Sequence, residues 1–307
     1  MPKGKITVLR PPAGYDFADL PHDRLAISHS FRPDAAWWES SGHVVTPSPA
    51  KAAAALVIVP RSKALARGLI AQACTLAPLV IVDGQRADGI DSIFNEIRER
   101  LGVIHSITKA HGRLFWFPAT DAFADWSIPD PVKGADGFTT QPGVFSESGA
   151  DRGSILLAAN LPAKLPARVA DLGAGWGYLS AAALTRTGVV SLDLIEAEKL
   201  ALDCAALNIT DPRAHFHWAD ATTFKPAAPY DAIIMNPPFH TTSKAEPALG
   251  RAFITAAQKM LTPGGHLWMV ANRHLPYEAA LRQSFRNLDE VAGDAAFKIF
   301  HATRPIR

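Results

Sequence analysis

The stretch "ARVADLGAGWG" (Ala167–Gly177) carries an apolar run that leads directly into three glycines at alternate positions, Gly173, Gly175 and Gly177. Glycine is required where a chain turns sharply or where a ligand lies against the backbone. A dinucleotide-binding fingerprint would need its third glycine at the position of Tyr178, so that pattern fails here. The stretch therefore predicts a buried strand that ends in a glycine turn, and it leaves open whether the turn holds a ligand.

Outward from this turn, apolar runs typical of buried strands alternate with stretches of helical spacing in both halves of the chain. In the second half, further strands are predicted at Gly188–Glu196, Ala214–Ala221, Tyr230–Asn236, His266–Asn272 and Phe297–Arg304. In the first half, strands are predicted at Ala54–Pro60, Leu79–Gly84 and His111–Pro118, with helices at Ser62–Pro78 and Gly89–Gly102. This alternation indicates an α/β fold, in which a mostly parallel sheet carries helices on both faces.

The two halves are separated by a segment without sustained periodicity. Residues Thr120–Ser154 are rich in proline, glycine, serine and aspartate, a composition typical of a connection between domains. Within it, we expect Asp151 and Ser154 to cap the helix that follows. The chain is therefore divided into two predicted domains, residues 1–134 and residues 135–307.

Acidic residues stand at the ends of two predicted strands. In open α/β sheets, ligands bind beyond the carboxyl ends of the strands. Glu196 ends a strand 19 residues after Gly177, and a carboxylate there can accept hydrogen bonds from both hydroxyls of a ribose. Asp193, inside the same strand, competes for this role. Asp220 ends the next strand, where it either contacts a ligand or caps the following turn.

The tetrad Asn236-Pro237-Pro238-Phe239 follows another buried run, "DAIIM". Proline cannot donate to a β ladder, so the strand stops here, and two successive prolines fix the backbone. The Asn236 side-chain oxygen and the Pro237 carbonyl can accept hydrogen bonds from the two N–H groups of a planar amine, which favours the pyramidal geometry of a nucleophile. Phe239 can stack on a flat substrate. The alternative is a proline-rich turn without chemistry.

The glycine turn preceded by an acid, Asp171, resembles motif I of class I S-adenosylmethionine-dependent methyltransferases, and the tetrad resembles their signature for planar amino groups. Residues 141–307 are similar to the two-domain ribosomal RNA guanine-N2 methyltransferases, and residues 1–134 only in architecture. This resemblance implies a Rossmann-like catalytic domain preceded by a smaller, degenerate methyltransferase-like α/β domain that aids substrate recognition and binds no cofactor.

The same resemblance implies roles for individual residues. The cofactor is S-adenosylmethionine, and the turn wraps its amino-acid moiety, with Asp171 offering charge near the cationic ligand. Phe145 and Ser146 lie against the cofactor in that family. Asp220 resembles the acceptor for the adenine amino group, with the backbone amide of Ala221 nearby. Asn236 is expected to border the cofactor as well as the substrate.

The expected reaction is methyl transfer to an exocyclic amino group, guanine N2 in ribosomal RNA. Three alternatives remain open: adenine N6, a protein glutamine, and a binding module that retains cofactor without turnover. The tandem tryptophans Trp37 and Trp38 either pack against the first sheet or stack on RNA. An oxidoreductase is disfavoured because the fingerprint glycine is missing.

The composition sets further limits on function. The net charge of only +2 excludes a strongly basic nucleic-acid binder, although a local basic face is compatible with an RNA partner. The two cysteines, Cys74 and Cys204, cannot form a cysteine zinc cluster, and we expect no metal site. No apolar run approaches the length of a membrane span and no signal peptide is evident, so a cytoplasmic location is expected.

Overall fold

The computed structural model describes residues 3–17, 20–238 and 247–307, without the side chain of Pro247. The chain forms two compact units. The first comprises Met1–Asp130 with Gln141–Gly143, and the second comprises Pro131–Thr140 with Val144–Arg307.

The first unit contains seven strands and three α-helices within its described residues. The strands are β1 (Ile6–Leu9), β2 (Leu25–Ser28), β3 (Val45–Thr46), β4 (Ala54–Ile58), β5 (Leu79–Gln85), β6 (His105–Lys109) and β7 (Gly112–Pro118). The helices are α1 (Arg32–Ser40), α2 (Lys63–Leu76) and α3 (Ile90–Leu101). The hydroxyl of Ser62 accepts a hydrogen bond from the backbone N–H of Leu65, and so caps α2.

The second unit begins with a short hairpin and continues into a larger sheet. Its strands are β8 (Val132–Lys133), β9 (Thr139–Thr140), β10 (Arg168–Leu172), β11 (Ser191–Glu196), β12 (Ala214–Trp218), β13 (Tyr230–Met235), β14 (Leu261–Asn272), β15 (Phe285–Gly293) and β16 (Phe297–Pro305). Its helices are α4 (Arg152–Asn160), α5 (Tyr178–Leu184), α6 (Lys199–Asn208), α7 (Pro247–Met260) and α8 (Glu278–Ser284).

Both sheets have the same strand order. The first runs β3-β2-β1-β4-β5-β7-β6 and the second runs β12-β11-β10-β13-β14-β16-β15. In each sheet the first five strands in this order are parallel to one another, and the sixth strand runs antiparallel to both of its neighbours. The predicted fold class, a Rossmann-like α/β domain preceded by a second α/β domain, is confirmed.

Helices bury both faces of the second sheet. Residues of α7 such as Ile254 and Met260 pack on the face that carries Leu172 and Met235. Helices α4, α5 and α6 pack on the other face, where Ile234 is fully buried. Because neighbouring strand residues point to opposite faces, the continuous apolar runs of β10 and β13 are explained by burial on both sides.

Two elements of the second sheet differ from the prediction. Strand β14 begins at Leu261 rather than at His266, and its pairing with β13 is irregular between Tyr230 and Ala232. Strand β15 was not predicted, because its side chains are largely exposed and its sequence, "FRNLDEVAG", lacks an apolar run. An edge strand of this kind carries little burial and therefore little hydrophobic pattern.

The tandem tryptophans of the first unit have different environments. Trp38 is buried in the core, and its indole N–H donates to the carbonyl of Pro11 at 2.9 Å. The Trp37 side chain is 41% exposed. Packing therefore accounts for Trp38, and the aromatic surface of this pair belongs to Trp37.

Candidate active site at the edge of the second sheet

Strand register brings the predicted site residues to one edge of the sheet. Leu172, the last residue of β10, pairs with Ile195 on β11 and with Met235 on β13. The next residue along each strand therefore emerges at the same edge: Gly173 after β10, Glu196 as the last residue of β11, and Asn236 after β13. Asp220 joins them, since Ala219 donates its N–H to the Glu196 carbonyl at 3.0 Å.

The glycine turn requires its glycines for two different reasons. All three have positive φ, +74° at Gly173, +57° at Gly175 and +93° at Gly177, a conformation that disfavours other residues. A Cβ at Gly177 would lie 2.8 Å from the terminal methyl of Ile209, so a larger residue there would also force Ile209 to shift. A Cβ at Gly175 would meet no atom within 4 Å. Gly175 thus borders open space, as a ligand cradle demands.

Two side chains hold this turn in place: Trp176, which lies within the turn, and Asn208, at the end of α6. The indole N–H of Trp176 donates to the carbonyl of Phe145 at 3.0 Å, and the Asn208 amide donates to the carbonyl of Trp176 at 2.8 Å. The backbone of Phe145 is therefore tied to the glycine turn, while its ring is 69% exposed, and Ser146 follows in a left-handed conformation. Sequence reasoning gave no role to Trp176, because a single tryptophan between glycines carries no recognisable signal.

Glu196 is also engaged with the turn. Its Oε2 accepts the N–H of Gly175 at 2.8 Å, and its Oε1 accepts the N–H of Glu198 at 2.7 Å. Burial raises its pKa, whereas these backbone hydrogen bonds lower it. Asp193, the competing carboxylate, accepts from the hydroxyl of Tyr230 and pairs with His217, so its hydrogen bonds are structural.

Asp171 is fully buried beneath the turn. Its Oδ2 accepts from the Ser180 hydroxyl at 2.7 Å, whereas its Oδ1 has no hydrogen-bond partner within the described residues. Burial raises the pKa of Asp171 to about 7, and the negative charge of Glu196 acts in the same direction. A buried acceptor without a partner is a feature that a bound cationic ligand would explain.

We expect Asp171→Asn to stabilise the second unit at pH 8 relative to the unmodified chain. When the pKa of an acid is higher in the folded state than in the unfolded state, the folded state becomes less stable as pH rises between the two values. For Asp171 these values are 3.8 and about 7. Between pH 5 and pH 8 the variant should gain on the order of 2–3 kcal/mol over the unmodified chain in free energy of unfolding. Urea unfolding at both pH values measures this, and an equal difference at the two would contradict it.

Asp220 satisfies the capping role that was left open for it. Its Oδ1 accepts from both the N–H and the hydroxyl of Thr222, at 2.8 and 2.7 Å. Its Oδ2 makes no hydrogen bond within the part of the chain that the structure describes. Ala221 is buried, at 3% exposure. The contact of Asp220 and Ala221 with adenine stays a prediction. Capping uses only Oδ1 of Asp220, so it leaves Oδ2 available for that contact.

The amide of Asn236 is held in one orientation. Its Nδ2 donates to Asp151 Oδ2 and to Ser154 Oγ, both at 2.9 Å. Both N–H groups are thus used, and Oδ1 makes no hydrogen bond with any described residue. Pro237 is buried and Pro238 is exposed. Phe239, predicted to stack on the substrate, lies outside the described residues.

Two further features, a metal site and a membrane-spanning helix, concern residues 3–17, 20–238 and 247–307, which the structure describes. No group of three or more His, Cys, Asp or Glu side chains in these ranges is placed to hold a metal ion. Across the same ranges, no helix combines the length and apolar character needed to cross a bilayer.

Comparison with solved structures bears on the fold. The T. Thermophilus protein described as "16S rRNA N2 G1207 methyltransferase (RsmC) in complex with AdoMet and Guanosine" matches with a TM-score of 0.79. The match covers 99% of this chain and 89% of that one, at 21% sequence identity. Both α/β units thus have counterparts in a solved structure.

Sequence comparison identifies the family. The chain is 31% identical over 262 residues to ribosomal RNA small subunit methyltransferase C of Shewanella loihica, covering 80% of this chain and 76% of the relative. It is 32% identical over 181 residues to ribosomal RNA large subunit methyltransferase G of Aeromonas hydrophila, covering 57% of this chain and 48% of the relative. The chain spans about half the length of several curated relatives it matches. A family model described as "Methyltransferase small domain" matches residues 136–301, and the chain belongs to this family.

Proposed function

We propose that the chain transfers a methyl group from S-adenosylmethionine to an exocyclic amino group, namely guanine N2 of ribosomal RNA. The observation that carries this proposal is the orientation of Asn236. Its two N–H groups are donated to Asp151 and Ser154, so its Oδ1 is the acceptor that remains. This acceptor stands at the same sheet edge as the glycine turn.

The residues of this edge fit the cofactor. Open space beside Gly175 would receive its amino-acid moiety, and the unpartnered Oδ1 of Asp171 would face a positive charge. Glu196 would accept the ribose hydroxyls and Asp220 the adenine amino group, while Phe145 and Ser146 would border the cofactor from the segment tied to Trp176. When bound, S-adenosylmethionine supplies an electrophilic methyl group.

The tetrad would prepare the nucleophile. An exocyclic amine is a poor nucleophile because its lone pair is delocalised into the base. Acceptance of its two N–H bonds by Asn236 Oδ1 and the Pro237 carbonyl favours a pyramidal nitrogen, with the lone pair free to attack. Holding a nucleophile in line with the group that it attacks can lower a barrier by up to about 7–11 kcal/mol. The amine proton becomes acidic after transfer, so no strong general base is needed.

The choice of RNA as substrate rests on the relatives. The matched relatives are named as ribosomal RNA methyltransferases of the large and small subunit, and the solved structure contains guanosine. These properties belong to those proteins, and their extension to this chain, with an RNA partner and a cytoplasmic location, is part of the proposal. The target base must be accessible or flipped out of its stack.

For the first domain, residues 1–134, we propose a role in substrate recognition without cofactor. Strand β4 occupies the position in the first sheet that β13 occupies in the second. It is followed by Val59 and Pro60, where β13 is followed by Asn236. Strand β1, which occupies the position of β10, is followed by Arg10 and Pro11 and not by a glycine turn, so the first sheet offers neither the cradle nor the side-chain amide.

Incubation of the chain with methyl-labelled S-adenosylmethionine, ribosomal subunits and naked ribosomal RNA, followed by nucleoside analysis, tests the function. The expected result is label in N2-methylguanosine. Label in N6-methyladenosine, or label confined to protein, would refute the proposed substrate. No transfer to any substrate, with cofactor bound, would indicate a binding module.

A further inference from the structure

Asp151 and Ser154 reach Asn236 from the first turn of α4. They precede it in sequence by 85 and 82 residues. The Asp151 carboxylate is also the N-cap of α4, since its Oδ2 accepts the N–H of Ser154 at 3.1 Å. The predicted capping role is therefore confirmed for Asp151 but not for Ser154, whose N–H is the group that is capped and whose hydroxyl contacts Asn236. The Asp151 oxygen that caps the helix also makes a second contact that capping does not require.

The absence of a side chain at Gly153 leaves room for the Asp151 carboxylate. A Cβ at Gly153 would lie 2.9 Å from Asp151 Oδ2 and 3.1 Å from the ring of Phe297. Gly153 therefore leaves the space that the carboxylate uses. Ser154 is 8% exposed, so its hydroxyl contact with Asn236 is shielded from water.

An ionised carboxylate only accepts hydrogen bonds, whereas a side-chain amide has a donor end and an acceptor end of nearly equal shape. Next to Asp151, only the donor end of the Asn236 amide can be turned inward. A flipped amide would place its Oδ1 against the carboxylate and its N–H groups where an amine substrate must donate. The carboxylate also polarises the amide, which strengthens Oδ1 as an acceptor.

We propose that Asp151 and Ser154 are positioning residues that hold the Asn236 amide with Oδ1 directed to the substrate amine. This inference rests on the proposed methyl transfer. It assigns the start of α4 to the reaction, although neither residue needs to touch substrate or cofactor.

Kinetics of Asp151→Asn provide the first test. Asparagine is as good an N-cap as aspartate, but its amide can donate as well as accept, so Asn236 would no longer be restricted to one orientation. We expect kcat to fall about 30- to 100-fold, whereas KM for RNA and Kd for cofactor change less than about threefold. Ser154→Ala should lower kcat about five- to tenfold with the same pattern.

Ser62→Ala is the matched control, because Ser62 caps α2 in the first unit by the same kind of contact. Asp151→Ala removes a cap and the contact with Asn236, whereas Ser62→Ala removes a cap alone. We expect loss of kcat only for Asp151→Ala. If the unmodified chain is active and Asp151→Ala has the same kcat as Ser62→Ala, the positioning role is overturned and the proposed function is left intact.

A measurement without turnover separates the two claims. In a ¹⁵N-labelled chain, the side-chain amide protons of Asn236 should exchange slowly with water, and exchange should accelerate at least about tenfold in Asp151→Ala. Unchanged exchange would overturn the positioning role. If exchange accelerates in Asp151→Ala but the unmodified chain methylates no substrate, the contact between Asp151 and Asn236 stands and the proposed methyl transfer is refuted.

Discussion

Replacing Asn236 with alanine is expected to lower kcat for methyl transfer at least about 100- to 1000-fold, the effect typical of removing one preorganised electrostatic partner. The Kd for S-adenosylmethionine should change less than about threefold, because the amide donates to Asp151 and Ser154 and, under the proposed function, accepts from the substrate amine. Single-turnover kinetics with saturating RNA measure the first quantity, and calorimetric titration of the cofactor measures the second.

Asn160→Ala is a suitable control for this variant. Asn160 is an exposed asparagine at the end of α4 whose amide donates to the carbonyl of Leu156, at 2.8 Å. Its loss should leave both kcat and cofactor affinity within about twofold of the unmodified chain, as for most surface substitutions. A collapse of cofactor affinity in Asn236→Ala, with chemistry preserved at saturation, would show that Asn236 serves the cofactor and not the amine.

Gly175→Leu is expected to weaken binding of S-adenosylmethionine at least about 100-fold, because the leucine side chain would occupy the space beside the turn. The backbone penalty is smaller, since φ is +57° and a left-handed conformation costs about 1–2 kcal/mol for a residue other than glycine. Calorimetric titration of the cofactor measures the affinity.

Gly89→Leu separates the two contributions. Gly89 also has a left-handed backbone, with φ +88° and ψ +16°, and a Cβ there would likewise meet no atom within 4 Å. It lies in the first unit, before α3, so its variant carries a comparable backbone penalty without entering the proposed cradle. Equal cofactor affinity in Gly175→Leu and the unmodified chain would show that the cofactor lies elsewhere.

The strands that position the site were predictable because they are buried on both faces. The sequences of β10, β11 and β13 are largely apolar, each with one interior aspartate, and they lead into a glycine turn, a glutamate and an Asn-Pro-Pro stretch, so their ends and their common edge follow from the pattern. Strand β15 was not predictable by the same reasoning, because most of its side chains contact solvent and its position depends on pairing with β16.

Within the site, sequence reasoning reached the residues that follow strands and missed the contacts that hold them. The glycine turn, Glu196 and Asn236 carry local signals. The contact between Asp151 and Asn236 spans 85 residues, and nothing in the local sequence of either residue indicates the other. The hydrogen bonds of Trp176 and Asn208 that hold the glycine turn likewise depend on tertiary packing.

A crystal structure with S-adenosylhomocysteine and guanosine would test the central claim most directly. The account predicts that Asn236 Oδ1 accepts from the guanine N2 amine at about 3 Å, with that nitrogen facing the sulfur atom of the cofactor product. A complex in which Asn236 presents its Nδ2 to the base, or in which guanosine binds away from the glycine turn, would contradict it.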